Sequence, residues 1–400
     1  MISKDTDTYA VPGFLANGIY AGIKENAAKD LALIFSSVPA HAAAVFTRNV
    51  FKAAPVLLDM ERIKSGRAQA VLANSGNANA ATGEAGYADA VAMSKSVSGK
   101  LGIPDELVLV ASTGIIGHRP PVEKMQGGVE ELVSGLHENG IPKAAEAIMT
   151  TDKFPKLSFR KGMIGGKEVS VCGIAKGAGM IEPDMATMLS FAVTDVDIDL
   201  PALDRVFRQA VDGSFNAITV DGCMSTNDTA IILANGRAAN GKLKLNSRGL
   251  SRFREMLCGV MSDLAEAMVR DGEGATKFIE IVVDEAGSSK DARKIAYAVA
   301  NSSLVKTAFF GCDPNWGRII AAAGSTAVDI PLSGCKLYLE EIPVFAGGKG
   351  MAGDENELAE IMRRPRIKIH LKLGMGKKSC RVCTSDLTFD YVKINAHYRT

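Results

Sequence analysis

The stretch Lys176-Gly-Ala-Gly-Met-Ile-Glu-Pro-Asp-Met-Ala-Thr-Met-Leu-Ser-Phe191 lies near the middle of the 400-residue chain. It is rich in glycine before Met180 and apolar after Thr187, which predicts a tight loop that leads into a buried strand. A side chain at the start of a buried strand is rigidly held. The stretch is therefore either a plain loop-to-strand junction or a loop that presents Thr187 for chemistry.

The second interpretation requires a cut in the chain, because a threonine hydroxyl alone is a poor nucleophile near neutral pH. An α-amine titrates at about 7.7–8.0 and can serve as the general base. If the bond between Ala186 and Thr187 breaks by self-cleavage, Thr187 carries both groups. The small side chain of Ala186 leaves room for the attack, and Pro183 stiffens the approach by fixing one φ angle.

Composition limits the classes of protein to consider. A length of 400 residues allows two or three domains, and a 47% hydrophobic composition is ample for a packed core. The formal net charge of +1 argues against nucleic acid as the main partner, but it does not exclude a local basic pocket for a small carboxylate. The sequence contains no run of about 20 apolar residues, so we predict no membrane span. Residues 1–14 lack a secretory signal pattern.

Seven cysteines without framework spacing indicate reduced thiols and a cytoplasmic protein. Cys380 and Cys383 form one C-x-x-C pair with no second pair, and in a strand they would point to opposite faces. We therefore expect no metal site.

Two polar segments could serve the same chemistry as Thr187. Ser112-Thr-Gly114 follows a predicted strand, and a hydroxyl beside an open glycine N–H is what an oxyanion hole needs, although Ser-Thr-Gly is also an ordinary turn. Lys176 could hold a substrate carboxylate or depress the pKa of the α-amine, or it could be a solvated surface residue. The residues alone leave both questions open.

The chain resembles the ornithine acetyltransferase family of arginine biosynthesis over nearly its whole length. The resemblance is carried by ordered segments: Ala73-Asn-Ser-Gly-Asn-Ala-Asn79, Ser112-Thr-Gly114, Lys176 to Phe191, Asp221 with Ser225-Thr-Asn-Asp-Thr229, Arg270-Asp-Gly-Glu-Gly-Ala-Thr276, Gly311-Cys-Asp-Pro-Asn-Trp-Gly-Arg318 and Tyr391-Val-Lys-Ile-Asn-Ala-His-Tyr-Arg-Thr400. The sequence departs from the common family pattern at Ala81, where cysteine is frequent, and at His397, where an acidic residue is frequent.

The resemblance implies specific roles for residues of this chain. Thr187 is the nucleophile, the chain is cut between Ala186 and Thr187, and Thr113 with Gly114 stabilises the oxyanion. The residues implied to bind substrate are Thr150, Lys176, Thr187, Glu273, Asn395 and Thr400.

The resemblance also implies an αββα sandwich of the N-terminal-nucleophile type with a smaller C-terminal α/β domain. We place the catalytic core at residues 1–284 and the smaller domain at 285–400. The implied activity is ping-pong transfer of acetyl from N2-acetyl-L-ornithine to L-glutamate through an acetyl-Thr187 ester. The two fragments are expected to form a heterotetramer of two α and two β chains, with no metal or resident cofactor.

Three questions stay open at this point. Acetyl-CoA is an alternative acetyl donor that these residues neither require nor exclude. An aminopeptidase or amidase with an N-terminal nucleophile would transfer the acyl group to water instead. A non-catalytic amino-acid-binding regulator is a third possibility, against which the intact set of Thr187, Thr113 and Glu273 argues.

Overall fold

The computed structural model describes residues 9–182, 188–351 and 353–397. The chain divides into two compact units. The first contains the described residues up to Asn216 together with Cys223–Met268. The second contains Ala217–Gly222 and the described residues from Val269 onward.

An eight-stranded sheet forms the first unit, with strand order β4-β3-β2-β8-β7-β6-β5 and β1 paired to β2. The strands are β1 Phe14–Ile19, β2 Leu31–Phe46, β3 Arg67–Asn77, β4 Val108–Ile115, β5 Lys156–Ile164, β6 Lys167–Lys176, β7 Leu189–Thr194 and β8 Thr229–Ala234. The helices that begin in this unit are α1 Ala54–Arg62, α2 Gly83–Leu101, α3 Val122–Ser134, α4 Ile141–Ala147, α5 Leu200–Asp212 and α6 Leu250–Arg270.

The long strand β2 joins two halves of this sheet. Its first part, residues 31–36, pairs with β1 and β3, and its last part, residues 41–46, pairs with β8. The pairing with β3 shifts register between Phe35 and Ala40, which marks an irregularity where one half passes into the other.

One apolar core lies between the two halves of the sheet. It contains Val71 and Ala73 of β3 together with Cys172 and Ile174 of β6. Side chains of successive strand residues point to opposite faces, so Leu72 is directed to the other side of β3.

Helices cover the outer faces of both halves. Leu72 belongs to a second core with Met93 of α2 and Met125 of α3. On β6, a Cβ added at Gly173 would lie 2.7 Å from Val260 and 2.9 Å from Leu264, so α6 packs closely on that face. The succession of helix, sheet, sheet and helix confirms the predicted αββα class.

The second unit is built on a six-stranded sheet with strand order β12-β11-β10-β13-β9-β14. Its strands are β9 Phe278–Ala286, β10 Lys336–Leu339, β11 Ile342–Ala346, β12 Lys349–Gly350, β13 Arg366–Lys372 and β14 Lys378–Ser385. Its helices are α7 Ser289–Ala300, α8 Ser303–Phe310, α9 Trp316–Gly324, α10 Glu355–Arg363 and α11 Phe389–His397. The domain boundary expected at residue 285 lies within β9, whose partners β13 and β14 both belong to the second unit.

Among the described residues, no helix combines the length and the apolar character that crossing a membrane would require.

Candidate active site

The ends of two parallel strands bring Thr113 and Gly114 to a fixed place in the first unit. β3 and β4 run side by side, with Ser75 opposite Thr113 and Gly76 opposite Gly114. Gly114 has a φ of +133°, and a Cβ added there would lie 2.3 Å from the carbonyl carbon of Gly76. Position 114 therefore requires glycine, both for its backbone conformation and for the close approach of β3.

Lys176, the last residue of β6, contacts Thr113. Its Nζ donates a hydrogen bond to Thr113 Oγ1 across 3.1 Å, and both side chains are buried. Because Thr113 Oγ1 accepts this bond, its own hydroxyl hydrogen can be donated to a third group. The buried contact argues against Lys176 as a solvated surface residue.

The buried carboxylate of Asp152 accepts hydrogen bonds from a second lysine and from the backbone next to Lys176. Lys156 Nζ donates to Asp152 Oδ1 across 2.6 Å, and both side chains have 0% exposure. The N–H of Gly177 donates to the same oxygen at 2.7 Å, and the N–H of Thr150 donates to Asp152 Oδ2 at 2.9 Å. Asp152 therefore ties Thr150 to the residue that follows Lys176.

The charge on Asp152 is stabilised by its surroundings. Burial alone would raise the pKa of Asp152, but Lys176 and Lys156, with the hydrogen bonds from Lys156 and Thr150, outweigh it and lower that pKa to about 2. The cluster thus contains an ionised carboxylate between two cations.

The start of β7 lies between β6 and β8. Leu189 is paired with Lys176 on one side and with Thr229 on the other. Immediately before it, Met188 donates its N–H to Asp228 Oδ1 at 2.9 Å and accepts at its carbonyl from Thr229 N–H at 3.0 Å. The backbone directly after residue 187 is therefore held through both of its polar groups.

The turn before β8 also reaches the strand that carries Thr113. Asn227 Nδ2 donates to the carbonyl of Ser112 at 2.8 Å and to the carbonyl of Ala78 at 2.6 Å. Ser112 in turn donates its hydroxyl to Asn74 Oδ1 at 2.6 Å. The amide side chains of this region bind backbone groups and the hydroxyl of Ser112, so they set the geometry of the strand ends.

Three predicted residues cannot be placed. Ala186 and Thr187, with the bond between them, lie outside the described residues, as does Thr400. Their assigned roles stay predictions.

The second unit brings two other predicted residues together. Asn395 Nδ2 donates to Glu273 Oε2 at 2.8 Å, and Glu273 is buried. Helix α11, which carries Asn395, is tied to the loop at Glu273 by a 2.8 Å bond from Thr388 Oγ1 to the carbonyl of Gly274. The loop that carries Glu273 and helix α11 are thus attached to each other.

Sequence reasoning did not assign a catalytic or substrate-binding role to Asp152, Lys156 or Asp228. Their spacing carries one signal: Asp152 and Lys156 are four residues apart with opposite charge, but they lie in a loop and a strand instead of a helix. Only the approach of distant segments makes these groups neighbours of Lys176 and Met188.

The sequence of this chain is similar to those of many known proteins. The ArgJ family profile matches residues 15–400. A protein of Geobacter sulfurreducens named arginine biosynthesis bifunctional protein ArgJ is 51% identical over 98% of this chain and 100% of its own length. A protein of the same name from Syntrophotalea carbinolica is 46% identical over 98% of this chain and 99% of its own length.

One solved structure is similar in both sequence and fold. The crystal structure of arginine biosynthesis bifunctional protein ArgJ from Bacillus halodurans matches with a TM-score of 0.50 and 35% identity. The match covers 52% of this chain and 98% of that one, so the crystallised polypeptide is about half as long as this chain.

Proposed function

The chain belongs to the ArgJ family, and from this premise we propose that it is a glutamate N-acetyltransferase of arginine biosynthesis. It moves an acetyl group from N2-acetyl-L-ornithine to L-glutamate through an ester on Thr187. The observation that carries the proposal is the buried contact of Lys176 with Thr113, next to the strand that begins just after Thr187.

In the first half-reaction, Thr187 Oγ attacks the acetyl carbonyl and its proton passes to the α-amine of Thr187. The oxyanion that develops receives the Gly114 N–H and the hydroxyl hydrogen of Thr113. Because Lys176 Nζ donates to Thr113 Oγ1, its positive charge polarises that hydroxyl and makes it a better donor. Donors of this kind, fixed before the reaction, are the main source of stabilisation in acyl transfer.

The tetrahedral centre collapses when the bond from carbon to the ornithine nitrogen breaks. That nitrogen takes up the proton held by the Thr187 α-amine, and ornithine leaves. In the second half-reaction the amine of glutamate attacks the ester carbonyl, Thr187 Oγ regains a proton, and N-acetylglutamate is released. The acetyl group is carried by Thr187 itself between the two halves.

Substrate binding divides among the remaining predicted residues. Lys176 offers a positive charge to a substrate carboxylate, and Thr150 is held beside it through Asp152. Glu273 and Asn395 form the second pair, and the Glu273 carboxylate is the group suited to a substrate amine or amide. We assign Thr400 to substrate binding from the family resemblance alone.

Self-cleavage between Ala186 and Thr187 is supported by the length of the Bacillus halodurans polypeptide. A chain about half as long as this one is what either product of a cut near the middle would be. We infer that the two fragments assemble as two α and two β chains in the cytoplasm. The seven cysteines, all free thiols, suit a reducing compartment.

The word bifunctional in the relatives' names supports a second activity. We assign to it the acetylation of glutamate with acetyl-CoA as donor, through the same Thr187 ester. Purified protein assayed with acetyl-CoA in place of N-acetylornithine should form N-acetylglutamate. If N-acetylglutamate forms with N-acetylornithine as the donor but not with acetyl-CoA, the enzyme carries out only the ornithine-linked reaction.

The test of the main proposal combines a denaturing gel with a transfer assay. Wild-type protein should run as two bands, for fragments of about 186 and 214 residues, and should consume N-acetylornithine only when glutamate is present. Thr187→Ala should run as one uncut band and should lose transfer. Consumption of N-acetylornithine without glutamate would instead identify a hydrolase, and an active protein that is uncut would contradict the mechanism.

A further inference from the structure

Asp228 is a buried carboxyl group in the first unit with no role in the mechanism above. Its Oδ1 accepts from the N–H of Met188 at 2.9 Å. Its Oδ2 is buried and has no hydrogen-bond partner among the residues that the structure describes. Buried carboxyl oxygens are rarely left unpaired, so this one calls for an explanation.

Two hydroxyls lie beside Asp228, and each of them has another hydrogen-bond partner. Thr47 Oγ1 donates to the carbonyl of Ser225 at 2.7 Å, and Ser225 Oγ accepts from the N–H of Asn227 at 3.0 Å. Both hydroxyls also lie close enough to Asp228 to lower its pKa. Asp228 is nevertheless firmly placed, since its carbonyl accepts from Thr47 N–H at 3.0 Å.

The group that Asp228 holds is part of the peptide unit that follows Thr187. The N–H of Met188 and the carbonyl of residue 187 belong to one planar unit. The hydrogen bond to Asp228 therefore fixes the Met188 end of that peptide unit. Loss of such positioning, even by 1 Å, can cost on the order of 10²-fold in rate.

We infer that Asp228 is a positioning residue for Thr187, and that it acts through Met188 during self-cleavage. This inference rests on the proposed function, because it requires Thr187 to be the nucleophile. In the step concerned, Thr187 Oγ bonds to the carbonyl carbon of Ala186, and the bond from that carbon to the Thr187 nitrogen breaks. The nitrogen gains the hydroxyl proton, and water then hydrolyses the ester to free the Ala186 carboxylate and the Thr187 hydroxyl.

A raised pKa favours the protonated form of Asp228, which suits a positioning role better than the role of a base. Burial raises the pKa of Asp228 well above its usual range, and the Met188 N–H, Lys176 and the hydroxyls of Thr47 and Ser225 lower it only in part. A neutral carboxyl accepts with one oxygen and carries a hydrogen on the other. Asparagine reproduces this pattern, because its carbonyl accepts and its amide donates.

The test follows the cut in real time in full-length protein made by cell-free translation and sampled onto denaturing gels. Asp228→Asn should be cut at a rate within about threefold of wild type. Asp228→Ala, which cannot accept from Met188, should be cut on the order of 10²-fold more slowly. If the asparagine variant is also blocked, the carboxyl itself takes part in proton transfer and the positioning role is overturned.

Asp59 supplies a matched control. It is a fully buried carboxyl whose pKa burial also raises, and it accepts from the N–H of Val110 at 2.9 and 3.1 Å. Asp59→Ala should be cut at the wild-type rate even though it loses stability. Equal slowing in Asp59→Ala and Asp228→Ala would mean that the effect is general loss of the fold, which overturns the inference.

Two further outcomes separate this inference from the proposed function. If wild-type protein is never cut, the proposed function fails. If wild type and Asp228→Ala are cut at the same rate, only the inference about Asp228 fails. Should Asp228→Ala be insoluble, Asp228→Ser takes its place, because its shorter side chain also loses the acceptor at the Met188 N–H. An Asp228→Ser protein that is cut at the wild-type rate would overturn the inference.

Discussion

Glycine 114 combines two constraints that a substitution can separate. Its φ of +133° lies in the region that favours glycine, and a Cβ there would meet the backbone of Gly76 at 2.3 Å. Gly117 also has a positive φ, +86°, but a Cβ there would meet nothing within 4 Å. Substitutions at Gly114 and Gly117 can therefore distinguish the effect of backbone strain from that of steric collision between β3 and β4.

We predict that Gly114→Ala abolishes acetyl transfer, because β3 must move and the N–H at 114 moves with it. Loss of one oxyanion donor alone costs roughly 10²- to 10³-fold in kcat. Gly117→Ala should lower stability by about 1 kcal/mol and keep nearly full kcat. The measurements are kcat with saturating N-acetylornithine and glutamate, and the melting temperature of each variant. Comparable loss of kcat in both variants would contradict a specific role for position 114.

At the level of single residues, sequence reasoning went as far as residue type and local order allow. Ser112-Thr-Gly114 could be predicted as a strand-end donor pair, because a polar turn after an apolar run is visible in one segment. The cluster around Asp152 could not be predicted in this way. Lys156 is near Asp152 in sequence, but Lys176, which also lowers the pKa of Asp152, lies at the end of β6. The orphan oxygen of Asp228 is likewise a property of the packed structure.

Among the secondary-structure elements, the turn before β8 acts as a connector. Asn227 links it to the end of β4 through Ser112 and to residue 78, while Asp228 links it to the start of β7. One short turn thereby links the end of β4, with Thr113 and Gly114, to the start of β7. The buried strand predicted after Thr187 is observed as β7, Leu189–Thr194, because a continuous apolar run is a strong signal.

We predict that Asn227→Asp is destabilised by about 3 kcal/mol or more. The substitution removes two donors and places a carboxylate oxygen against the carbonyls of Ala78 and Ser112 in a buried site. Asn246, which is exposed, offers the matched control Asn246→Asp with a change within about 0.5 kcal/mol. Thermal unfolding followed by circular dichroism measures both. An Asn227→Asp protein with the same melting temperature as wild type would show that the turn is held by other contacts.

On the scale of the whole molecule, the cut would divide one sheet between two polypeptides. Strands β1–β6 precede Thr187 in the chain, while β7 and β8 follow it. In the sheet, β8 lies beside β2 and β7 lies beside β6, so two strands of the later fragment are inserted between strands of the earlier one. The core between the two halves of the sheet draws on Ile174 from the first fragment and on Phe191 from the second.

This interleaving predicts that neither fragment forms the sheet of the first unit alone. Residues 1–186 without β7 and β8 would expose two unpaired edges in the middle of the sheet, a strong drive to aggregate. We therefore expect fragments 1–186 and 187–400, produced separately and refolded separately, to show no transfer activity, and we expect fragment 1–186 to precipitate. Refolded together they should regain activity and elute as one species from a sizing column. The control is wild-type protein cut in the normal way, unfolded and refolded under the same conditions. Activity in either fragment alone would contradict a shared core, and a co-refolded mixture that stays inactive while the control recovers would show that the sheet must form before the chain is cut.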